Sequence, residues 1–411
     1  MKNSEVGRYS KVSWLVFLFT ISIVLISLVP VIFPALFSET LFKTELSNYD
    51  ISETFNLQPF EVGGFAIPLL ITNIIVFAIL IFVKRNKSLQ QKINLLNKFQ
   101  ISQKIAIIAI IIILSGYAIF SFSEVGFGIP TGVHGEPYDD WDRLKHKLAN
   151  MKSIWPEEIA SFEPHLKYTM LKISVILFDN YFVIPFLSSI GLLIVTYLFT
   201  SKITGSHLAG LLSLLLVLQS SLFLTFDTSA AFASFWIFFY LLSLYLTIKI
   251  WPISPVFYVF SIFTKTLTAF FAPMSIFFIL NSEIPKQRKI ILTITFVIII
   301  LIGIVLSATQ TNIDLEWNTN EFWLGFTAFA FSMRFDIIII VFLLPVIVGL
   351  FLISKNNRYA NSILVLLAGT LLTAPFITGL TDMTNQPYRF LPLIVFFSIG
   401  VGMIFANRKT I

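Results

Sequence analysis

A small set of ionisable and hydroxyl side chains lies at the edges of long apolar segments, where polar groups are costly and usually retained for a function. The set comprises Asp139 and Asp140 in GEPYDDWD, Asp227 in FDTSAAF, Lys265 in IFTKTLT, Arg334 in MRFD, and Tyr388 and Arg389 in QPYRF. Carboxylates can act as a general base or bind a metal, whereas Lys and Arg can hold a phosphate. A site holding both types suits a nucleophile that must lose a proton and an anionic leaving group.

The composition identifies the environment of these residues. The chain has 411 residues, of which 56% are hydrophobic and 12% charged, and its mean hydropathy is +0.87. Soluble domains contain about twice that share of charge, so an ordinary cytosolic enzyme and a disordered chain are both excluded. The chain has no cysteine, which excludes disulfides, thiolate metal sites and cysteine nucleophiles.

Apolar runs long enough to cross a bilayer recur along the chain, at about 20 residues for each span. The predicted spans are 13–37, 64–83, 105–122, 181–200, 207–225, 229–248, 290–307, 337–354, 359–378 and 391–407. The sequence therefore predicts an all-α polytopic membrane protein with about 10–12 transmembrane helices, including a re-entrant pair. We expect 1–104 to form a two-span extension with a basic loop, and 105–411 to form a membrane core.

The basic residues are concentrated in alternate loops. The segments assigned to the inside contain 18 of the 28 Lys and Arg but only two of the 22 acids, Glu5 and Glu283. The positive-inside rule then places both termini in the cytoplasm and the residues of the candidate site at the outer face of the cell membrane. The net charge of +6 is thus explained by topology, and nucleic-acid binding is not expected.

The loops before and after segment 253–280 are both assigned to the inside, so this segment must begin and end on the same side of the membrane. Its 28 residues are too few for two full spans, so we predict two half-length helices in a re-entrant hairpin with Thr264, Lys265 and Thr266 at the tip. Irregular backbone at this depth is tolerated against protein or a water-filled cavity. The alternative is one tilted helix, which would reverse the topology of everything downstream.

The longest outer loop, about 123–180, is predicted to carry helices at the membrane surface. Acids at 139–142 favour the start of a helix, and residues 166–178 place apolar side chains on one face, as in an interfacial helix. A second interfacial helix is expected over 320–333. His134, Glu136 and Asp139 have a spacing that a divalent metal could use, or one that arises by chance in a loop; His146 and His165 are expected to be solvated.

The order of these parts resembles the GT-C-type integral-membrane glycosyltransferases, a group that includes protein mannosyltransferases and aminoarabinose transferases. GEPYDDWD resembles the acidic motif of their first outer loop, and FDTSAAF stands at the place of the second-loop acid. SIFTKTLTAFFAP resembles the lysine segment, and QPYRFLPLIVFF the late Tyr-Arg segment. The resemblance covers about 105–407. Two additional spans and the lack of a WWDYG-like motif favour transfer of a single sugar.

The resemblance implies transfer of a sugar from a polyprenyl-phosphate donor to a glycan, lipid or protein acceptor, with inversion. Asp139 or Asp140 would deprotonate the acceptor, and Asp227 would orient the base or hold a metal. Lys265 and Arg389 would neutralise the lipid phosphate, with Arg334 and Tyr388 as further substrate contacts. The sequence does not name a cofactor, and a divalent metal remains open.

Each residue also has a structural interpretation. Asp139 and Asp140 could cap their helix, Asp227 could cap the helix that follows it, and Lys265 could extend to the interface. Arg389 could anchor a lipid headgroup, and Arg334 could pair with Asp336. Two other functions therefore stay open: a transporter or flippase for a lipid-linked or anionic substrate, which should show repeated halves, and a non-catalytic membrane subunit.

Overall fold

A computed structural model describes residues 9–37, 60–86, 88, 100–127, 138–151, 165–310, 317–381 and 387–406. The described regular elements are α-helices and short 3₁₀ helices. Seven of the described helices are long and apolar enough to cross a membrane. The predicted all-α polytopic membrane architecture is therefore confirmed.

Contacts divide the chain into two units, and one is inserted in the sequence of the other. The first unit comprises 1–99 and 314–411, and the second comprises 100–313. The predicted division into a two-span extension, 1–104, and a membrane core, 105–411, stays a prediction. The boundary near 313 has no counterpart in it.

The first unit contains long apolar helices from both ends of the chain. They are α1 (Lys11–Ile32), α2 (Ala66–Arg85), α15 (Ile337–Ser354), α16 (Tyr359–Thr381) and α17 (Leu391–Phe405), joined by the short α13 (Thr319–Leu324) and α14 (Thr327–Ser332).

Buried polar bonds attach the N-terminal helices to the C-terminal ones. Thr20 of α1 donates to the carbonyl of Leu364 at 3.2 Å, and Asn73 of α2 donates to the carbonyl of Val341 at 3.1 Å. Apolar packing gives little orientation between helices surrounded by lipid, so such bonds are important in fixing their register.

The second unit contains the helices that carry most of the candidate site. They are α3 (Gln103–Phe127), α4 (Tyr138–Asn150), α5 (His165–Phe178), α6 (Val183–Thr204), α7 (His207–Leu218), α8 (Ser221–Phe226), α9 (Phe235–Lys249), α10 (Ser254–Thr264), α11 (Ala272–Asn281) and α12 (Lys286–Gln310).

Two predicted spans of this unit are shorter and more irregular than expected. The segment 207–225 contains α7 and the start of α8, with a break at 219–220, and the segment 229–248 is helical only from Phe235. The prediction of a continuous helix from 229 is wrong because Asp, Thr and Ser occupy 227–229, where their side chains compete for backbone hydrogen bonds.

The relative directions of the helices follow from side-chain contacts. Ser188 and Ser189, near the start of α6, bond to Ser234, which immediately precedes α9. The two helices therefore run in the same direction from a shared end. Helix α10 runs the opposite way, since Ser261 donates to the carbonyl of Trp236 at 2.8 Å while Ser254 bonds to Ser243 further along α9.

The segment 253–280 is interrupted at the predicted residues. Helix α10 ends at Thr264, a 3₁₀ helix follows from Thr266 to Phe271, and α11 then begins. The Arg288 guanidinium lies 5.9 Å from the centre of the Trp251 ring, so the entrance and the exit of the segment are neighbours. This arrangement agrees with a re-entrant pair and not with one tilted helix.

The predicted interfacial helix over 320–333 is divided into α13 and α14 near Gly325. A Cβ at Gly325 would lie 2.4 Å from Cα of Pro375 in α16, which only glycine avoids.

We expect Gly325→Ala to lower the free energy of unfolding by about 1–3 kcal/mol through overpacking, measured by denaturant titration in detergent. Gly116→Ala is the control, because nothing lies within 4 Å of that position; equal losses in both variants would contradict the close contact.

The absence of cysteine makes the predicted sidedness directly measurable. We expect Lys202→Cys and Gln287→Cys to react with a membrane-impermeant maleimide only after permeabilisation, and Asp179→Cys to react in intact cells. All three side chains are exposed. Labelling of Gln287→Cys in intact cells would contradict the predicted topology.

Candidate functional site

The segment 227–234 is a buried part of the second unit in which four of eight residues are polar. It joins α8 to α9 without regular structure, and every residue in it is buried. Asp227 is 2% exposed. Since irregular backbone inside a membrane domain must find its partners in protein or water, the segment requires a polar setting.

The Asp227 carboxylate is held by helix α3. The Tyr117 hydroxyl donates to Oδ2 of Asp227 at 2.6 Å, and the Ser121 hydroxyl donates to the same oxygen at 3.4 Å. Many of the described side chains of α3 are exposed, including Ile119 and Phe120 between these two residues. Tyr117 and Ser121 are buried and contact the unit from the opposite face of the helix.

The alternative in which Asp227 caps the following helix is wrong. Asp227 is the C-cap of α8, and α9 begins eight residues later, at Phe235. A carboxylate at the C-terminal end of a helix gains nothing from the helix dipole, which favours cations there. Its position thus needs another explanation, and the contacts to Tyr117 and Ser121 supply one.

Hydroxyl groups fix the backbone of the segment. Ser189 donates to the carbonyl of Asp227 at 2.7 Å, and Ser234 shares a hydrogen bond with Ser189 at 2.8 Å. Within the segment, Ser229 accepts from the amide of Phe232 at 2.9 Å. These bonds satisfy backbone groups that a helix would otherwise satisfy.

Helix α5 contacts the same segment from the side of the long loop. The ammonium group of Lys167 donates to the carbonyl of Ala231, which places a cation beside the segment that carries Asp227. The polar residues His165, Thr169 and Ser174 of α5 are buried, whereas Ile176 and Leu177 are 58% and 65% exposed. The predicted solvation of His165 is wrong, because this helix turns its polar face inward.

The acidic motif lies on α4, which packs against α5. Asp139 and Asp140 are in the first turn of α4, as predicted, and their side chains lie outside the described part of the structure. At the other end of α4, Lys172 donates to the carbonyl of Leu148 at 3.1 Å, and the Lys147 ammonium lies 4.9 Å from the ring centre of Tyr168. Burial raises the pKa of the Tyr168 hydroxyl, which keeps it protonated.

Lys265 lies at the same end of the second unit as Asp227. It is half-buried, ends α10 and has an extended backbone, with φ −158° and ψ 111°. Helix α10 is antiparallel to α9, and Ser261 already contacts Trp236, so the next turn extends toward Ser234 and the segment 227–234. Helix α10 also contacts α5. The elements carrying Lys265, Asp227 and the acidic motif therefore all border α5.

The remaining predicted residues belong to the first unit. Arg334 is exposed, and its guanidinium lies 4.4 Å from the ring centre of Phe331 and 4.7 Å from that of Phe335. Asp336 is 7% exposed, and the predicted pair with Arg334 is not among the contacts of the described residues.

Tyr388 and Arg389 lie in the 3₁₀ helix Pro387–Phe390, at the start of α17. Tyr388 is buried, and Nε and Nη1 of Arg389 are buried without a hydrogen-bond partner among the described residues. A residue that anchors headgroups would expose these nitrogens, so their burial does not fit a lipid anchor.

The described residues contain no group of three His, Asp or Glu side chains that could hold a metal. His134 and Glu136 lie outside the described part of the chain, so the predicted metal site stays a prediction.

The sequence prediction did not include Tyr117 and Lys167. Tyr117 is one of many aromatic residues of the chain and Lys167 is one of several lysines of the long outer loop, so residue type alone distinguished neither.

Comparison of the chain with models of protein families, with curated proteins and with solved structures found no match.

The bond between Tyr117 and Asp227 can be tested by a double-mutant cycle. We expect Tyr117→Phe to lower the free energy of unfolding by about 1–3 kcal/mol, the range for a hydrogen bond to a buried charged group. The loss should be smaller in the Asp227→Asn background, because the two residues interact. Denaturant titration of the four proteins in detergent measures both effects.

Tyr245→Phe is the matched control, since Tyr245 is half-buried on α9; its effect should stay within about 0.5 kcal/mol. Equal losses for Tyr117→Phe in both backgrounds would show that the hydroxyl does not act through Asp227.

Proposed function

We propose that the protein is a GT-C-type membrane glycosyltransferase that moves a sugar from a polyprenyl-phosphate donor to an acceptor at the outer face of the membrane. The observation that carries this proposal is the buried carboxylate of Asp227 in an irregular segment at the end of the second unit where α10 stops at Lys265. A transferase of this type needs an acid and a cation at one end of its membrane domain.

The proposed reaction is a direct displacement. The oxygen of an acceptor hydroxyl attacks the anomeric carbon, its proton passes to the carboxylate of Asp139 or Asp140, and the bond between the sugar and the lipid phosphate breaks. The leaving group is the polyprenyl phosphate. Lys265 neutralises its charge, an electrostatic role that is strong where water is scarce.

Asp227 orients the reacting groups in this proposal. Its burial and its bond to Tyr117 fix the carboxylate in one position, as an orienting residue requires. Lys167 holds the neighbouring backbone through Ala231. The proposal covers a glycan, a lipid or a protein as the acceptor, since no described contact distinguishes between them.

The division of the chain favours a transferase over a transporter. Transporters are commonly built from two repeated halves that follow one another, whereas here one unit is inserted into the sequence of the other.

A transfer assay with purified protein in liposomes tests the proposal. Radiolabelled sugars on polyprenyl phosphate are supplied, and label is followed into lipid and protein acceptors. We expect Asp139→Asn or Asp140→Asn to lower the rate about 10²–10⁴-fold by removing the base, and Lys265→Ala to lower it about 10²–10³-fold.

Asp179→Asn is the matched control, because Asp179 is exposed at the end of α5 and has a positive φ of 51°, which Asn also tolerates. Its rate should equal that of the wild type. Full activity in all three site variants would overturn the proposed site. Movement of the intact donor across the membrane without transfer of label would instead establish the transporter.

A further inference from the structure

The end of the second unit opposite Asp227 carries several cations and one tryptophan. Lys202 lies near the end of α6 and Lys249 at the end of α9, and these helices run in parallel. Trp251 follows α9, while Lys286 and Arg288 lie in the first turn of α12. We call Lys249, Trp251, Lys286 and Arg288 the basic cluster.

A cation–π contact joins the part of the basic cluster at the end of α9 to the part at the start of α12. The Arg288 guanidinium lies 5.9 Å from the centre of the Trp251 ring, although 37 positions separate the two residues in the sequence. A guanidinium beside an aromatic ring retains N–H groups at its edges, and these can grip a phosphate through two parallel hydrogen bonds. Lysine, a compact point charge, lacks this geometry.

Apolar side chains border the basic cluster. Ile250 and Ile253 are 47% and 41% exposed beside Trp251, and Ile290 and Ile291 are each 49% exposed beside Arg288. An exposed cation next to exposed aliphatic groups matches the boundary between lipid headgroups and acyl chains, where tryptophan is also enriched.

The charge of this end is mostly positive. Lys249, Lys286 and Arg288 are exposed, and Glu283, between α11 and α12 at this same end, is the one acid in the sequence between residues 228 and 313. Each cation near an anionic leaflet contributes about 1 kcal/mol of attraction. The group therefore complements a negatively charged headgroup better than a zwitterionic one.

We infer that the basic cluster binds an anionic phospholipid of the leaflet at this end of the second unit. The phosphate lies between Arg288 and the flanking lysines, and the acyl chains follow the isoleucines. The inference does not depend on the proposed sugar transfer, since it uses residues at the opposite end of the unit.

Native mass spectrometry of the full-length protein in detergent, titrated with phosphatidylglycerol or phosphatidylcholine, measures this binding. We expect the wild type to bind phosphatidylglycerol more tightly than phosphatidylcholine. Arg288→Lys keeps the charge but loses the guanidinium edge, so its affinity for phosphatidylglycerol should fall about fivefold, the effect of one lost hydrogen bond.

Lys202→Arg is the control, because it exchanges the same two residue types at an exposed position of the same end. Its affinity for phosphatidylglycerol should equal that of the wild type. Three results would overturn the inference: equal binding of the two lipids by the wild type, wild-type affinity in a folded Arg288→Lys variant, or displacement of the lipid by millimolar inorganic phosphate alone. Size-exclusion chromatography and thermal unfolding establish that each variant is folded.

Discussion

The buried carboxylate of Asp227 is the feature on which the organisation of the second unit depends. A carboxylate at 2% exposure is stable only with hydrogen-bond donors around it, and Tyr117 and Ser121 of α3 supply them. The irregular segment that follows must also be satisfied, and Ser189 and Ser234 bond to it or beside it. Helices α3, α6 and α9 are thereby brought together at one end of the unit.

The same unit separates two kinds of chemistry along its length. One end combines a buried acid, the helix break at Lys265 and the helix that carries Asp139 and Asp140. The other end combines exposed Lys and Arg with tryptophan and isoleucine. Such a division follows from the bilayer, since charged groups are retained at its two faces or inside protein. It gives the protein a reaction end and a lipid-anchoring end in the interpretation proposed above.

Hydropathy and charge were sufficient to predict the helices and the break at residues 264–266, because both depend on local composition. They failed at 229–234, where apolar Ala and Phe concealed a segment whose Ser and Asp residues prevent a helix. They also failed for His165, because an apolar stripe does not reveal whether lipid or protein covers it. Tyr117 and Lys167 lie 110 and 64 positions from the residues that they contact, and no spacing rule links residues so far apart.

The distance between residue 140 on α4 and residue 265 after α10 tests most directly whether these elements form one catalytic site. Spin labels attached to Asp140→Cys and Lys265→Cys in the otherwise cysteine-free chain, examined by electron paramagnetic resonance in nanodiscs, report it. A base and a phosphate-binding cation that act on one sugar should lie within about 15 Å of each other, given hydrogen-bond contacts on both sides of the substrate. A separation well beyond that distance, in a folded protein, would mean that the acidic motif and Lys265 serve different purposes.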